Sequence, residues 1–153
     1  AIGDLPPLEA GESSSISNHE ARKHQRKTIE RFKHIPKDGG SRKDMPEELW
    51  LDCHKGVDGA DSVYGRMWWD EPAPTLTTRC TSPSSGRFIH PEQHRGITIR
   101  EAARIQTFPD DYVFPNNKKS ASQLIGNAVP PKLISEIVKR FYLENEGVIR
   151  TLT

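Results

Sequence analysis

The stretch from Arg95 to Pro131 constrains the fold more than any other, because start and stop signals for three helices fall inside it. Thr98 and Glu101 have the spacing of a capping box, in which each side chain bonds the other residue's backbone N–H. A helix is therefore expected from Ile99, with Ala102, Ala103 and Ile105 in its interior. Pro109 is expected to end it, since the residue before a proline is pushed out of the helical region. Ser120 and Gln123 repeat the capping-box spacing and predict one short turn, which Gly126 then breaks. A backbone at glycine can also approach a ligand closely. Pro130 and Pro131 suit the first turn of a longer helix, where the missing N–H costs nothing.

The remaining segments are read around this centre. Residues 1–16 form an irregular connector rich in Pro, Gly, Glu and Ser. Ser17 and Glu20 are a third capping-box pair and predict a helix from Asn18 to about Lys33. That helix carries Arg22, Lys23, Arg26, Lys27, Arg31 and Lys33, which read either as a solvated face or as a basic face beside a DNA backbone. Lys37–Gly40 is a turn, and Met45–Trp50 one short helical turn. Tyr64–Trp69 and Thr75–Arg79 are the strand candidates, being aromatic and β-branched, with Glu71–Pro74 as the connection. Trp68 and Trp69 are neighbours and would face opposite sides of a strand, so one is expected in the core. Thr81–Gly86 is a flexible loop, and Phe88–Pro91 leads back to the centre. After Pro131, Leu133, Ile134, Ile137, Val138, Phe141 and Tyr142 lie on one helical stripe, and Gly147 is the expected stop.

Composition excludes several classes. The 153 residues are 33% apolar and 28% charged, suggesting one domain with a modest core and a soluble, cytoplasmic character. No apolar run approaches the roughly 20 residues of a membrane span, and no signal peptide is visible. The net charge is only +1, so any nucleic-acid contact must come from a local patch. Cys53 and Cys80 stand far apart without a second pair, which supports neither a disulfide framework nor a metal site.

Two segments carry a resemblance. Arg95, Thr98, Arg100, Glu101, Ala103, Arg104, Gln106, Phe108, Pro109 and Asp110 match one motif of DNA cytosine-5 methyltransferases, and Gly126–Pro131 match the Gly-Asn-Ala-Val-Pro-Pro motif that follows it. The chain resembles the C-terminal part of such an enzyme, weakly at first and strongly after Pro72. Its opening Ala-Ile-Gly-Asp-Leu-Pro resembles the segment that follows the family's catalytic half. The resemblance implies an α/β or α+β fold: a small mixed recognition domain, plus C-terminal helices belonging to a doubly wound (Rossmann-like) methyltransferase. The divisions are then a connector at 1–16, a target-recognition region at 17–94, and helices returning to the catalytic domain at 95–153. It further implies double-stranded DNA and S-adenosylmethionine as ligands of the complete enzyme, no metal, and a bacterial cytoplasmic setting.

Cytosine-5 methylation requires a thiolate that adds to ring carbon 6, an acid near the ring nitrogen, a methyl donor, and a base flipped out of the duplex. In the family the thiolate follows a proline and the acid lies in Glu-Asn-Val. Cys53 follows Asp52, Cys80 follows Arg79, and Glu-Asn-Val is missing, so no catalytic residue is expected here. Thr75, Thr77 and Thr78 resemble the element whose hydroxyls meet DNA phosphates, a contact that needs no charge. Arg79 and Arg87 flank the loop and are candidate DNA contacts. Asn127, Ala128 and Val129 resemble the residues lining the cofactor and flipped-base pocket, where an amide both donates and accepts. Arg95, Arg100, Glu101 and Arg104 are expected to be structural ion-pair residues. Partners implied are duplex DNA and either the missing N-terminal catalytic half or another copy of the chain. The alternatives are a non-enzymatic DNA-binding remnant, the recognition subunit of a split methyltransferase, or a related RNA methyltransferase.

Overall fold

The computed structural model describes residues 1–56, 59 and 61–144. Among them the α-helices are α1 (Arg26–His34), α2 (Ile99–Ile105), α3 (Lys118–Asn127) and α4 (Pro131–Glu144), with short 3-10 turns between α1 and α2. Helix α2 forms as its capping box predicts. Thr98 Oγ1 accepts from Glu101 N at 3.1 Å, and Glu101 Oε2 accepts from Thr98 N at 2.7 Å. It stops before Pro109 in a Schellman-type turn. Phe108 N donates to Ala103 O, Thr107 N donates to Arg104 O, and Thr107 takes a φ of 67°. A threonine is strained there. Its hydroxyl accepts from Lys132 N at 3.1 Å, which ties the end of α2 to the first turn of α4.

The expected strands are not formed. Among the described residues only isolated bridges occur: Ser13 with Glu20, Arg66 with Ile89, and Ile89 with Gly96. Tyr64 has a φ of 56°, which no strand tolerates, and Thr77–Cys80 closes as a turn through Cys80 N to Thr77 O. Burial of Arg66 organises this region instead. Its guanidinium donates to the carbonyls of Phe32, Ile35, His90 and Gln93 and to His94 Nδ1, at 2.6 to 3.0 Å. It thereby places a cation at the carbonyl end of α1. Neither tryptophan enters the core. Trp68 is 40% exposed and Trp69 half-buried, while Met67 takes the interior place.

The expected helix from Asn18 begins eight residues later, at Arg26. Asn18 has a φ of 62°, and its side-chain amide bonds Phe114 N and Phe114 O, which turns the chain away from a helical path. The connector is not loose: Ile2, Leu5 and Leu8 are buried. For α3 the cap is Asn117 rather than Ser120, since Asn117 Oδ1 accepts from Lys119 N and Ser120 N. Gly126 therefore sits in the last turn of α3 and does not break it. Pro131 opens α4 as predicted; Gly147, its expected stop, lies outside the described residues.

The core has two parts. One lies between α2, α3 and the 76–88 loop, around Leu76, Cys80, Phe88, Ala103 and Ile125. The other joins α1 to Tyr64 and Ile89. The apolar stripe of α4 joins neither. Leu133, Ile134, Ile137 and Val138 are exposed, so this stripe does not pack back onto Trp68, Trp69 and Phe88.

Candidate nucleic-acid interface

The segment Thr75–Arg79 is anchored at both ends by burial. Leu76 and Cys80 face the core, and Thr75, Thr77, Thr78 and Arg79 face outward. Burial pushes the Cys80 thiol up to about 11, so it remains protonated near neutrality. Cys53 is exposed, and neither cysteine is in a disulfide. The turn rests on α3. A Cβ placed on Gly126 would lie 2.3 to 2.4 Å from the Thr77 carbonyl and Thr78 nitrogen, so only glycine permits this approach. Thr81 Oγ1 meets Ser122 Oγ at 3.1 Å and adds a second link to the same helix.

The same C-terminal end of α3 carries the Gly-Asn-Ala-Val turn. Gln106 Nε2 donates to Ile125 O and Ala128 O, which ties the end of α2 to the end of α3. Asn127 and Val129 are exposed beside it and Ala128 is half-buried. The structure thus sets the threonine turn against Gly126, the first residue of the Gly-Asn-Ala-Val turn, in the last turn of α3.

Beside the threonine turn runs a basic cleft of about 360 Å³, bounded by Glu20, Arg22, Thr78–Ser82, Ile97–Ile99 and the first turn of α3. Lys118 Nζ lies 3.4 Å from Glu20 Oε2. Arg22, Arg79 and Lys119 make no ion pair among the described residues. Lys118 and Lys119 were not singled out from the sequence; a pair of lysines carries no signal until the fold sets it opposite Arg22 and Arg79. Of the basic residues assigned to the expected helix, Arg22 and Lys23 lie before α1, and Arg31 Nε donates to Leu49 O at 2.6 Å.

Arg87 points elsewhere. Its Nη1 donates to the carbonyls of Gly39, Gly40 and Arg66, and its guanidinium carbon lies 4.0 Å from the Trp68 ring centroid. The motif residues of α2 are likewise engaged. Arg95 forms a two-pronged pair with Glu101 at 2.7 and 2.8 Å, both groups buried. Burial pushes the Glu101 carboxyl up, but the hydrogen bonds and charge of Arg95 outweigh it and hold the carboxyl below the usual range. Arg100 donates to the carbonyls of Ser17, Pro109 and Tyr112. Arg104 pairs with Asp110 and reaches Asp4 at 2.7 Å. Among the described residues no group of three or more His, Cys, Asp or Glu is placed to hold a metal, and no helix is long and apolar enough to cross a membrane.

Residues 2–142 match the family described as C-5 cytosine-specific DNA methylase. The chain is 47% identical over 151 residues to Type II methylase M.HgiDII of Herpetosiphon aurantiacus, covering 92% of this chain and 42% of the relative. It is 40% identical to Type II methyltransferase M1.HphI of Haemophilus parahaemolyticus, covering 91% of this chain and 34% of that protein. A 36% identity links it to DNA (cytosine-5)-methyltransferase 3 of Arabidopsis thaliana, of which it covers 11%. The chain spans less than half the length of each of these relatives. With its matched region covering nearly all of the described residues, the chain belongs to the C-5 cytosine-specific DNA methylase family.

Proposed function

We propose that this chain is the C-terminal portion of a DNA (cytosine-5-)-methyltransferase of a bacterial restriction-modification system, acting in the cytoplasm. In this reading it recognises target duplex DNA and completes the pocket for S-adenosylmethionine and the flipped cytosine. The observation that carries it is the contact of Gly126 with the Thr77–Thr78 backbone. It brings the segment that resembles the family's DNA-contact element against the first residue of the Gly-Asn-Ala-Val turn.

Thr75, Thr77, Thr78 and Arg79 are the DNA-facing groups, because they are exposed while their neighbours Leu76 and Cys80 are buried. Arg87 holds the loop through three carbonyls instead of touching DNA. Arg95, Arg100, Glu101 and Arg104 hold the frame. The exposed Asn127 amide and Val129 side chain, with the backbone at Ala128, suit one wall of an S-adenosylmethionine site: the amide for polar groups, the valine for an apolar ring face. That cofactor, when bound, supplies the methyl group. The catalytic thiolate and acid belong to an N-terminal half, against which the apolar face of α4 packs. A DNA-binding subunit without its own catalysis is the second reading, favoured by the lack of a Pro-Cys pair in this chain.

The test is duplex binding together with methyl transfer. Thr75→Val/Thr77→Val removes two hydroxyl donors and is expected to weaken duplex binding roughly ten-fold. The chain alone is expected to incorporate no label from radiolabelled S-adenosylmethionine. Unchanged affinity of the double variant would overturn the threonine assignment, and robust incorporation would overturn the fragment reading.

A further inference from the structure

The charge of this molecule is unevenly placed. The whole chain carries a net +1, yet one cleft is lined by Arg22, Arg79, Lys118 and Lys119 against the single carboxylate of Glu20. Glu20 is already paired with Lys118 at 3.4 Å. Three cations are left facing one another without a counter-charge among the described residues, an arrangement that repels itself until an anion enters.

The walls also carry hydroxyls suited to phosphate: Thr78, Thr81, Ser82 and Ser122. Neighbouring clefts continue the cavity in both directions. One shares Thr78, Arg79 and Lys119 and reaches Gln123. Another shares Arg22 and Ser82 and reaches Lys23 and Thr28. A single small anion needs one cleft, whereas a run of clefts with cations along it suits a polyanion.

We infer that this groove is a track for the sugar-phosphate backbone of duplex DNA, with Arg22 and Lys119 as phosphate-binding cations beyond the threonine turn. The inference rests on the DNA reading above but on different residues, since neither Thr75 nor Thr77 lines the central cleft. The N-terminus of α3 does not supply the binding: its Lys119 and Ser120 nitrogens are already held by Asn117 Oδ1. Affinity in the groove therefore comes from charged side chains, which makes it salt-sensitive and indifferent to base sequence.

The experiment is a fluorescence-anisotropy titration of the full chain with mixed-sequence duplexes between roughly 50 and 200 mM salt. Wild type, Arg22→Ala/Lys119→Ala and Thr75→Val/Thr77→Val are compared. Both cationic side chains are exposed and make no ion pair among the described residues, so a thermal melt matching wild type confirms that their variant folds. Loss of two phosphate contacts is expected to flatten the plot of log affinity against log salt by about 1.8. The wild-type advantage then shrinks roughly twelve-fold across that salt range, equally for all sequences. An unchanged slope overturns the groove; if the threonine variant is weakened in the same titration, the DNA reading stands without it. A flattened slope with an unaffected threonine variant supports the groove and removes the threonine contacts. No duplex binding by wild type at the lowest salt overturns both. Competition by polyglutamate as strong as that by DNA of equal charge would overturn the assignment to nucleic acid.

Discussion

Helix α2 has seven residues and buries five of them; α4 has fourteen and none of them is buried. Pattern alone would rank them the other way, because α4 has the cleaner apolar stripe and α2 carries Arg100, Glu101 and Arg104. The difference lies in what each helix meets. Every charged group of α2 finds a partner close by: Glu101 finds Arg95 and Thr98 N, and Arg100 finds three carbonyls. Burial of these charges is tolerated because their hydrogen bonds replace water. The stripe of α4 is apolar enough to be buried, but Ile137 and Val138 stay exposed among the described residues. Hydrophobicity says which face wants cover, and tertiary contact says whether cover exists.

The largest expected effect comes from breaking the α2 side of this contrast. Glu101→Ala leaves Arg95 buried and unpaired and removes half the capping box, at a cost of about 3–5 kcal/mol. Chemical denaturation should show a greatly lowered midpoint or no cooperative transition. A midpoint equal to wild type would mean that the ion pair does not lock the helix.

A smaller effect is expected from acid. Burial holds His90 down at about 4 from its ordinary 6.5 and His24 likewise at about 4, and Glu101 is held below the usual carboxylate range. All three folded values lie below the unfolded ones, so the unfolded chain binds more protons on acidification. Stability from the histidines is fully present above about 6.5 and is lost as pH falls toward about 4; that from Glu101 is lost at still lower pH. His90→Gln should flatten the fall in melting temperature between those pH values. The same steep fall in the variant would remove His90 from the account.

The smallest effect belongs to α4. Ile137→Glu/Val138→Glu should change the unfolding free energy by less than about 0.5 kcal/mol, since both positions are exposed. The same variant should abolish any concentration-dependent sedimentation of the wild type, because an apolar face seeks a partner. A loss of stability as large as that of Glu101→Ala would mean that α4 packs within its own chain.

Legibility followed sequence separation. Thr98 with Glu101, and Pro131 at the start of α4, were readable because both partners of each signal lie within one helical turn. The threonine segment and the Gly-Asn-Ala-Val turn were readable as motifs through family resemblance. The strands at 64–69 and 75–79 were misread, since strand propensity reflects packing against a neighbour, and among the described residues only the isolated Arg66–Ile89 bridge pairs with either. The helix expected from Asn18 failed because Phe114, 96 residues away, offers the Asn18 side chain two backbone bonds. Arg66 gave no sign of its role, because its carbonyl partners are set by the path of the chain and by no residue type.

By itself the sequence determined where α2 and α4 start, and the family. These depend on residue identity at short, fixed spacings, where hydrogen-bond geometry is the same in any context. Only the tertiary structure decided that Arg22, Arg79 and Lys119 share one groove, that Arg87 turns to carbonyls, and that Gly126 lets the threonine turn rest on α3. Charge in a groove and steric room at a glycine depend on which distant segments meet, and that is settled by the packing of the whole chain.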